Sequence, residues 1–253
     1  MSKTIEVHRK VHNNVGDYFC NPSRYFSIDA DSQELMHNPT PLDNKDLIVG
    51  GGGLIHKKFS KHIQMLLDKN PRTSTLWGIG HNFGAKHVSK VGDVYYPNWI
   101  ERCDLIGIRD WIDGYQKWYL PCVSCMHPCF SFDYDVRHDT VYFIHAFKTK
   151  YQSNEMPVMK NNKMNFEDVI AFLGSAETVV TDSYHGAYWA QLLGKNVHVA
   201  SWSVKFDHMK HQPNFLESIN SPLPSIKNKI PGFLEECQEY NRNFYQKFRN
   251  ITS

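Results

Sequence analysis

A chain of 253 residues with a formal net charge of +2 lacks the strong cationic excess that marks a nucleic-acid binder, and with 21% charged and 41% hydrophobic residues it is not a disordered polyelectrolyte. That length suits one large domain or two smaller ones, each able to bury a core without disulfide or metal staples. The start, Met1–His8, has no apolar leader core, and no apolar run approaches the ~20 residues that span a bilayer; a soluble, cytoplasmic protein with its six cysteines as free thiols is expected.

The chain repeats one pattern: a short apolar run, a glycine or polar turn, then a helical stretch. Asp46–Val49 reads as a compact strand closed by Gly50-Gly51-Gly52-Gly53, and Leu54–Leu67 has helical apolar spacing. Thr75–Ile79 and Asp104–Ile108 are the next strands. Trp118–Thr140 is rich in Pro, Cys, Asp and aromatics without a period, and reads as a crossing between domains or a long loop. A second run begins at Val141–Ile144. It continues with a helix over 166–173 capped by Asn165, a strand at Thr178–Thr181, a helix over Tyr184–Leu193 stopped by Gly194, and a strand at Asn196–Ala200. Phe233–Phe248 reads as a charged amphipathic helix. Strands alternating with helices imply parallel sheets covered on both faces. The expected fold is therefore α/β, with two Rossmann-like domains over residues 1–135 and 136–253, and the last helix, 233–248, is expected to pack back on the first. Ligands in such folds sit at the C-terminal ends of strands, often between domains.

Five motifs carry candidate chemistry, four of them at or beside such strand ends. In Val180-Thr181-Asp182-Ser183-Tyr184-His185-Gly186-Ala187 a β-branched strand turns at once into a helix, which aims free N–H groups and the positive helix end at an anion. Ser183 offers a hydroxyl, and His185 can bind an anion or move a proton; the competing reading makes Asp182 or Ser183 a cap and His185 a packed residue. Asn14-Val15-Gly16-Asp17 is either an Asx turn or a site for a general base at Asp17. The glycine run lets backbone approach a ligand or another segment closely, but it has neither the Lys-Ser/Thr ending of a P-loop nor a dinucleotide fingerprint. Trp77-Gly78-Ile79-Gly80-His81-Asn82 brings His81 and Asn82 to the same sheet edge. In Ile108-Arg109-Asp110, Arg109 can grip a carboxylate or phosphate in bidentate fashion, or pair with an acid.

Taken in order, these five pieces, with Ala190–Val197 and Ser203-Val204-Lys205-Phe206, resemble the polysaccharide pyruvyl transferase family over roughly residues 12–210. The resemblance implies a fold similar to the B-type glycosyltransferases, and transfer of pyruvate from phosphoenolpyruvate to sugar hydroxyls as a ketal, with no cofactor. It implies donor contacts from Ser183, Tyr184, Gly186, Arg109 and Lys205, and a catalytic part for His185, with Asp17 and His81 as further candidates for activating the sugar hydroxyl. Gly51, Gly52, Gly53 and Asn82 become the substrate-binding loop. The acceptor would be a surface glycan or its lipid-linked precursor, which would bring the protein to a membrane surface. Many family members carry Arg where Ser183 stands. A sugar-nucleotide glycosyltransferase on the same fold, and a non-catalytic glycan-binding protein, are the alternatives.

Cys122-Val123-Ser124-Cys125-Met126-His127-Pro128-Cys129 has zinc-like ligands but lacks a second cysteine pair at ribbon spacing, so no metal is expected there. Asp29-Ala30-Asp31 and Asp133-Tyr134-Asp135 have the short Asp-x-Asp form without a clear strand end before it. Lys57-Lys58 and the His208–His211 stretch read as solvated surface rather than a nucleic-acid patch. The aromatics through 95–119 suit a core, a domain interface or sugar stacking.

Overall fold

A computed structural model describes residues 3–37, 42–82, 96–149, 151, 153 and 155–253; Tyr95 of the aromatic stretch lies outside the described residues. The first sheet is built from β1 (Thr4–His8), β2 (Ala30–Glu34), β3 (Asp46–Ile55), β4 (Thr73–His81) and β5 (Leu105–Ile108), in the order β2-β1-β3-β4-β5 with every pair parallel. The second contains β6 (His138–Ile144), β7 (Val158–Lys160), β8 (Ala176–Thr181), β9 (Asn196–Ala200) and β10 (Asn214–Leu216), in the order β10-β9-β8-β6-β7, again all parallel. Counted from its own first strand, each half has the order 2-1-3-4-5. Chain direction across the sheet therefore reverses between β1 and β3 in one half, and between β6 and β8 in the other. Two α/β domains of this kind match the two-domain architecture of the B-type glycosyltransferases.

The helices are α1 (Val15–Tyr18), α2 (Lys57–Leu67), α3 (Phe166–Gly174), α4 (Tyr184–Leu192) and α5 (Phe233–Thr252). Each start has a local cause. Asn14 Oδ1 accepts from Gly16 N at the head of α1, Asn165 Oδ1 from Glu167 N and Asp168 N at α3, and Ser183 Oγ from Gly186 N at α4. These bonds satisfy amides that the first turn leaves without partners. In α2 the apolar residues Phe59, Ile63, Leu66 and Leu67 are buried while Lys57, Lys58 and Lys61 face solvent, an ordinary amphipathic division.

One element departs from its expected form. The strand read as ending at Val49 runs to Ile55, so the four glycines lie within β3 rather than in a loop after it. Their backbone still pairs with β4, as Gly50 with Trp77 and Gly52 with Ile79. Without side chains on these residues the segment around Cys20–Pro22 lies directly on the strand: a Cβ on Gly51 would stand 3.0 Å from Cys20 O. The short strands β1, β2, β7 and β10 were not expected from the sequence; β2 is a polar edge strand, Ala-Asp-Ser-Gln-Glu, with no apolar alternation to reveal it.

Several segments join the halves. From the first half, Val15, Phe19 and Cys20 enter the hydrophobic core built on α3 and α4, where Phe19 stacks on Phe166 at 4.7 Å between ring centroids. Residues 122–130, two short 3₁₀ turns, add Cys122, Cys125, Cys129 and Phe130 to that same core. Helix α5 runs back along the first sheet, with Phe244 and Phe248 against Trp77. All six cysteines are free and buried. Among the described residues no helix is long and apolar enough to cross a membrane.

Candidate functional site

The loops at both reversal points open onto one cavity of about 210 Å³ between the domains. Arg9 follows β1, Gly53 and Leu54 lie near the end of β3, Asn82 follows β4 and Arg109 follows β5; from the other half come His145 after β6, Ser183 to His185 after β8, and Trp202 and Lys205 after β9. Asn14 and Asp17 of the α1 region complete the wall. This is the position at which open parallel sheets hold ligands.

Arg109 is the chemical centre of the cavity. It is 3% exposed, and its guanidinium lies 3.9 Å from the centre of the Tyr184 ring. Its Nε and Nη1 are buried and have no hydrogen-bond partner among the described residues. A buried guanidinium with open N–H groups costs several kcal/mol unless an anion completes it (on the order of 1–3 per missing bond). Lys205 stands in the same wall with its ammonium 4.1 Å from the Trp202 ring centre. Burial, helped by Arg109, brings its pKa down to about 7, against the pull of Asp17 and Asp182. The N-terminus of α4 lines the same cavity through Ser183, Tyr184 and His185, with Ser183 Oγ accepting from Gly186 N. Together they form a concentrated anion site.

His185 and Asp17 are titratable groups in the same wall. Burial, reinforced by Arg109 and Lys205, holds His185 well below the ordinary imidazole range, so it is neutral at pH 7. Its Nε2 lies 3.6 Å from Cys122 Sγ. Its other ring edge meets Gly16, where a Cβ would overlap the ring. Burial raises Asp17 above the usual carboxylate range, while Arg109, Lys205 and Arg9 pull it back. Asn14 Nδ2 donates to Asp17 Oδ2 at 2.8 Å, and Oδ1 lies 3.2 Å from where a Gly52 Cβ would be, on a backbone with φ of +93°. Glycine at 52 thus leaves room for the carboxylate.

The sequence-predicted residues divide. His185, Asp17, Ser183, Tyr184, Arg109, Lys205, Gly53 and Asn82 line the cavity. Four do not. His81 is wholly enclosed, with Nδ1 2.6 Å from Asp110 Oδ2. Gly51 and Gly52 seat Cys20 and Asp17 instead of a ligand, and Gly186 is packed against Phe143 and Thr181, where a Cβ would come within 2.5 and 2.6 Å. Ser183 is the cap of α4, as the competing reading of its motif had it, and it also lines the cavity. Asp182 is not the cap: its Oδ1 accepts from His145 N at 2.6 Å, and its Oδ2 accepts from the Thr149 hydroxyl.

Residues that the sequence reading passed over are Arg9, Phe59, His145, Asn161 and Trp202. Arg9 and His145 each directly follow the first strand of a half, so recognising β1 would have pointed to Arg9. Trp202 and Asn161 carry no local cue. The two Asp-x-Asp stretches have their carboxylates on the exposed surface, outside the cavity wall. The thiols of residues 122–129 are engaged separately: Cys122 with Ser124 Oγ at 3.2 Å, Cys129 with His127 Nδ1 at 3.0 Å, and Cys125 accepts from Asn241 Nδ2 at 3.5 Å. No protein-family model matches the chain, and no curated protein matches it.

Proposed function

We propose that the protein is a transferase of the polysaccharide pyruvyl transferase type, taking phosphoenolpyruvate as donor and a sugar diol of a surface glycan or its precursor as acceptor. The observation that carries this reading is the buried, incompletely bonded guanidinium of Arg109, beside Lys205 and the start of α4. Phosphoenolpyruvate bears two anionic groups on three carbons, and two cations with a helix end are matched to such a ligand.

Ketal formation needs a proton delivered to the methylene carbon and two hydroxyl protons removed; one of these balances the methyl group formed, and the other leaves with inorganic phosphate. In this reading Arg109 and Lys205 hold the donor's carboxylate and phosphate. Asp17, with its raised pKa, takes a hydroxyl proton, and His185, neutral until an anion arrives, relays one.

Calorimetric titration with phosphoenolpyruvate, against a uridine sugar nucleotide, tests the donor. Saturable binding of phosphoenolpyruvate is expected, weakened about 10- to 100-fold by Arg109→Ala, since a charged hydrogen-bonded contact contributes roughly 1.5–3 kcal/mol. Binding of the nucleotide sugar alone would move the protein to the glycosyltransferases. Glycan binding untouched by His185→Ala, with no turnover of either donor, would make it a binding protein.

A further inference from the structure

Behind Arg109, away from the cavity wall, lies a second polar cluster that the transferase reading does not use. His81 is the last residue of β4, Asp110 follows β5, and His208 follows the 3₁₀ turn Val204–Phe206 that carries Lys205. All three are at most 3% exposed. One ligand atom from each lies within 4.8 Å of the others. The internal bonding of the cluster is incomplete. Asp110 Oδ2 receives both His81 N, at 2.7 Å, and the His81 ring, at 2.6 Å, but Asp110 Oδ1 and His208 Nδ1 are buried with no hydrogen-bond partner among the described residues. The hydroxyl of Tyr96, whose ring centre is 4.9 Å from that of His81, is buried and also lacks a partner among the described residues.

A triad kept only for packing would close its own hydrogen bonds, because a buried polar group left unsatisfied keeps its full desolvation penalty. Two imidazoles and a carboxylate with a free oxygen are instead the donor set of a divalent transition metal, zinc above all. We infer that His81, Asp110 and His208 bind such an ion, and that it clips the two domains together behind the cleft. The consequence is mechanical. His81 and Asp110 belong to the first domain and His208 to the second, where at present a single backbone bond, Trp111 N to His208 O at 2.8 Å, links the same two segments. Arg109 adjoins one ligand in sequence, and Lys205 lies three residues from another. The metal fixes the spacing of the two cleft cations and takes no part in the chemistry between them. This inference does not depend on which donor the cleft takes.

The test uses the whole chain, stripped with a chelator and then loaded with Zn²⁺ or Co²⁺. Retention of one ion per chain after dialysis is expected, together with a higher thermal unfolding midpoint. Both effects should fall in His208→Gln and Asp110→Asn, with Zn²⁺ affinity reduced at least ~10-fold. The Co²⁺-loaded wild type should show visible d–d bands without thiolate charge transfer, a readout that needs no variant to fold. A folded wild type that retains no metal would overturn the inference. So would Zn²⁺ binding unchanged in both variants, or a thiolate–cobalt band that Cys129→Ser removes, which would assign the ion to the cysteines of residues 122–129.

Discussion

Two residues of the cleft put opposing demands on stability. Gly16 touches the His185 ring across the domain boundary, and no side chain fits between them. In Gly16→Ala the added methyl group must push α1 away from α4, at the roughly 1–3 kcal/mol typical of overpacking, and it displaces a cavity residue at the same time. The expected result is a lower unfolding midpoint with an anion affinity reduced at least several-fold, read by calorimetric titration at a temperature where the variant is folded. Unchanged affinity would mean that His185 does not bear on the anion. Lys205 behaves in the opposite sense. Burial and Arg109, with Lys148 adding to the repulsion and Asp17 and Asp182 opposing it, lower its pKa from 10.5 to about 7. The unfolded chain therefore holds this proton more tightly than the folded one. Below pH 7 both states are charged and the folded state bears the full cost; as pH rises from 7 toward 10.5 the folded chain has shed the proton and the cost fades. Lys205→Met should accordingly raise the unfolding midpoint near about pH 6, with the gain shrinking toward about pH 10, while donor affinity is lost. A midpoint gain that does not depend on pH would show that packing, not charge, is responsible.

At the scale of elements, α5 shows how a surface-looking helix becomes structural. Its sequence has an apolar face of Phe233, Cys237, Phe244 and Phe248, and the polar Asn241 lies in the same stripe. Asn241 is fully buried. Its Oδ1 accepts from Trp77 Nε1 at 3.0 Å, and its Nδ2 donates to Pro121 O at 3.2 Å and Cys237 O at 3.0 Å. One side chain thus joins β4, the crossing segment and α5. Asn241→Ala leaves an indole N–H and a carbonyl buried without partners, at about 1–3 kcal/mol each. Chemical denaturation should show a loss of about 2–5 kcal/mol; a loss below about 1 kcal/mol would mean that water replaces the amide. The periodicity of α5 and the cap at Asn165 were legible in the sequence, because apolar spacing and capping chemistry are local. The true length of β3 was not. Glycine carries no strand preference, and what holds this run in β3 is non-local: the pairing with β4 and the segment lying on its bare backbone.

At the scale of the molecule, two sheets of one strand order face each other with their reversal points on a common cavity, and α1, residues 122–130 and α5 cross between the halves. The cleft is bounded by segments that share a hydrophobic core, so the geometry of Arg109, Lys205 and His185 is tied to the packing of both domains.

The sequence alone determined the α/β class and the division into two parallel-sheet halves, since alternation of apolar strands and helices is written in short windows. It also placed Arg109, Ser183 and His185 just beyond predicted strands, where any parallel sheet presents its ligand contacts, while Lys205 entered only through the family resemblance. Tertiary structure decided which of these residues meet. It enclosed His81 with Asp110 and His208, turned Gly51 and Gly52 into seats for Cys20 and Asp17, and brought Arg9, Asn161 and Trp202 to the cleft. The physical reason is separation along the chain: the contact of Gly16 with His185 joins residues far apart in sequence, and its strength depends on packing that no local window contains.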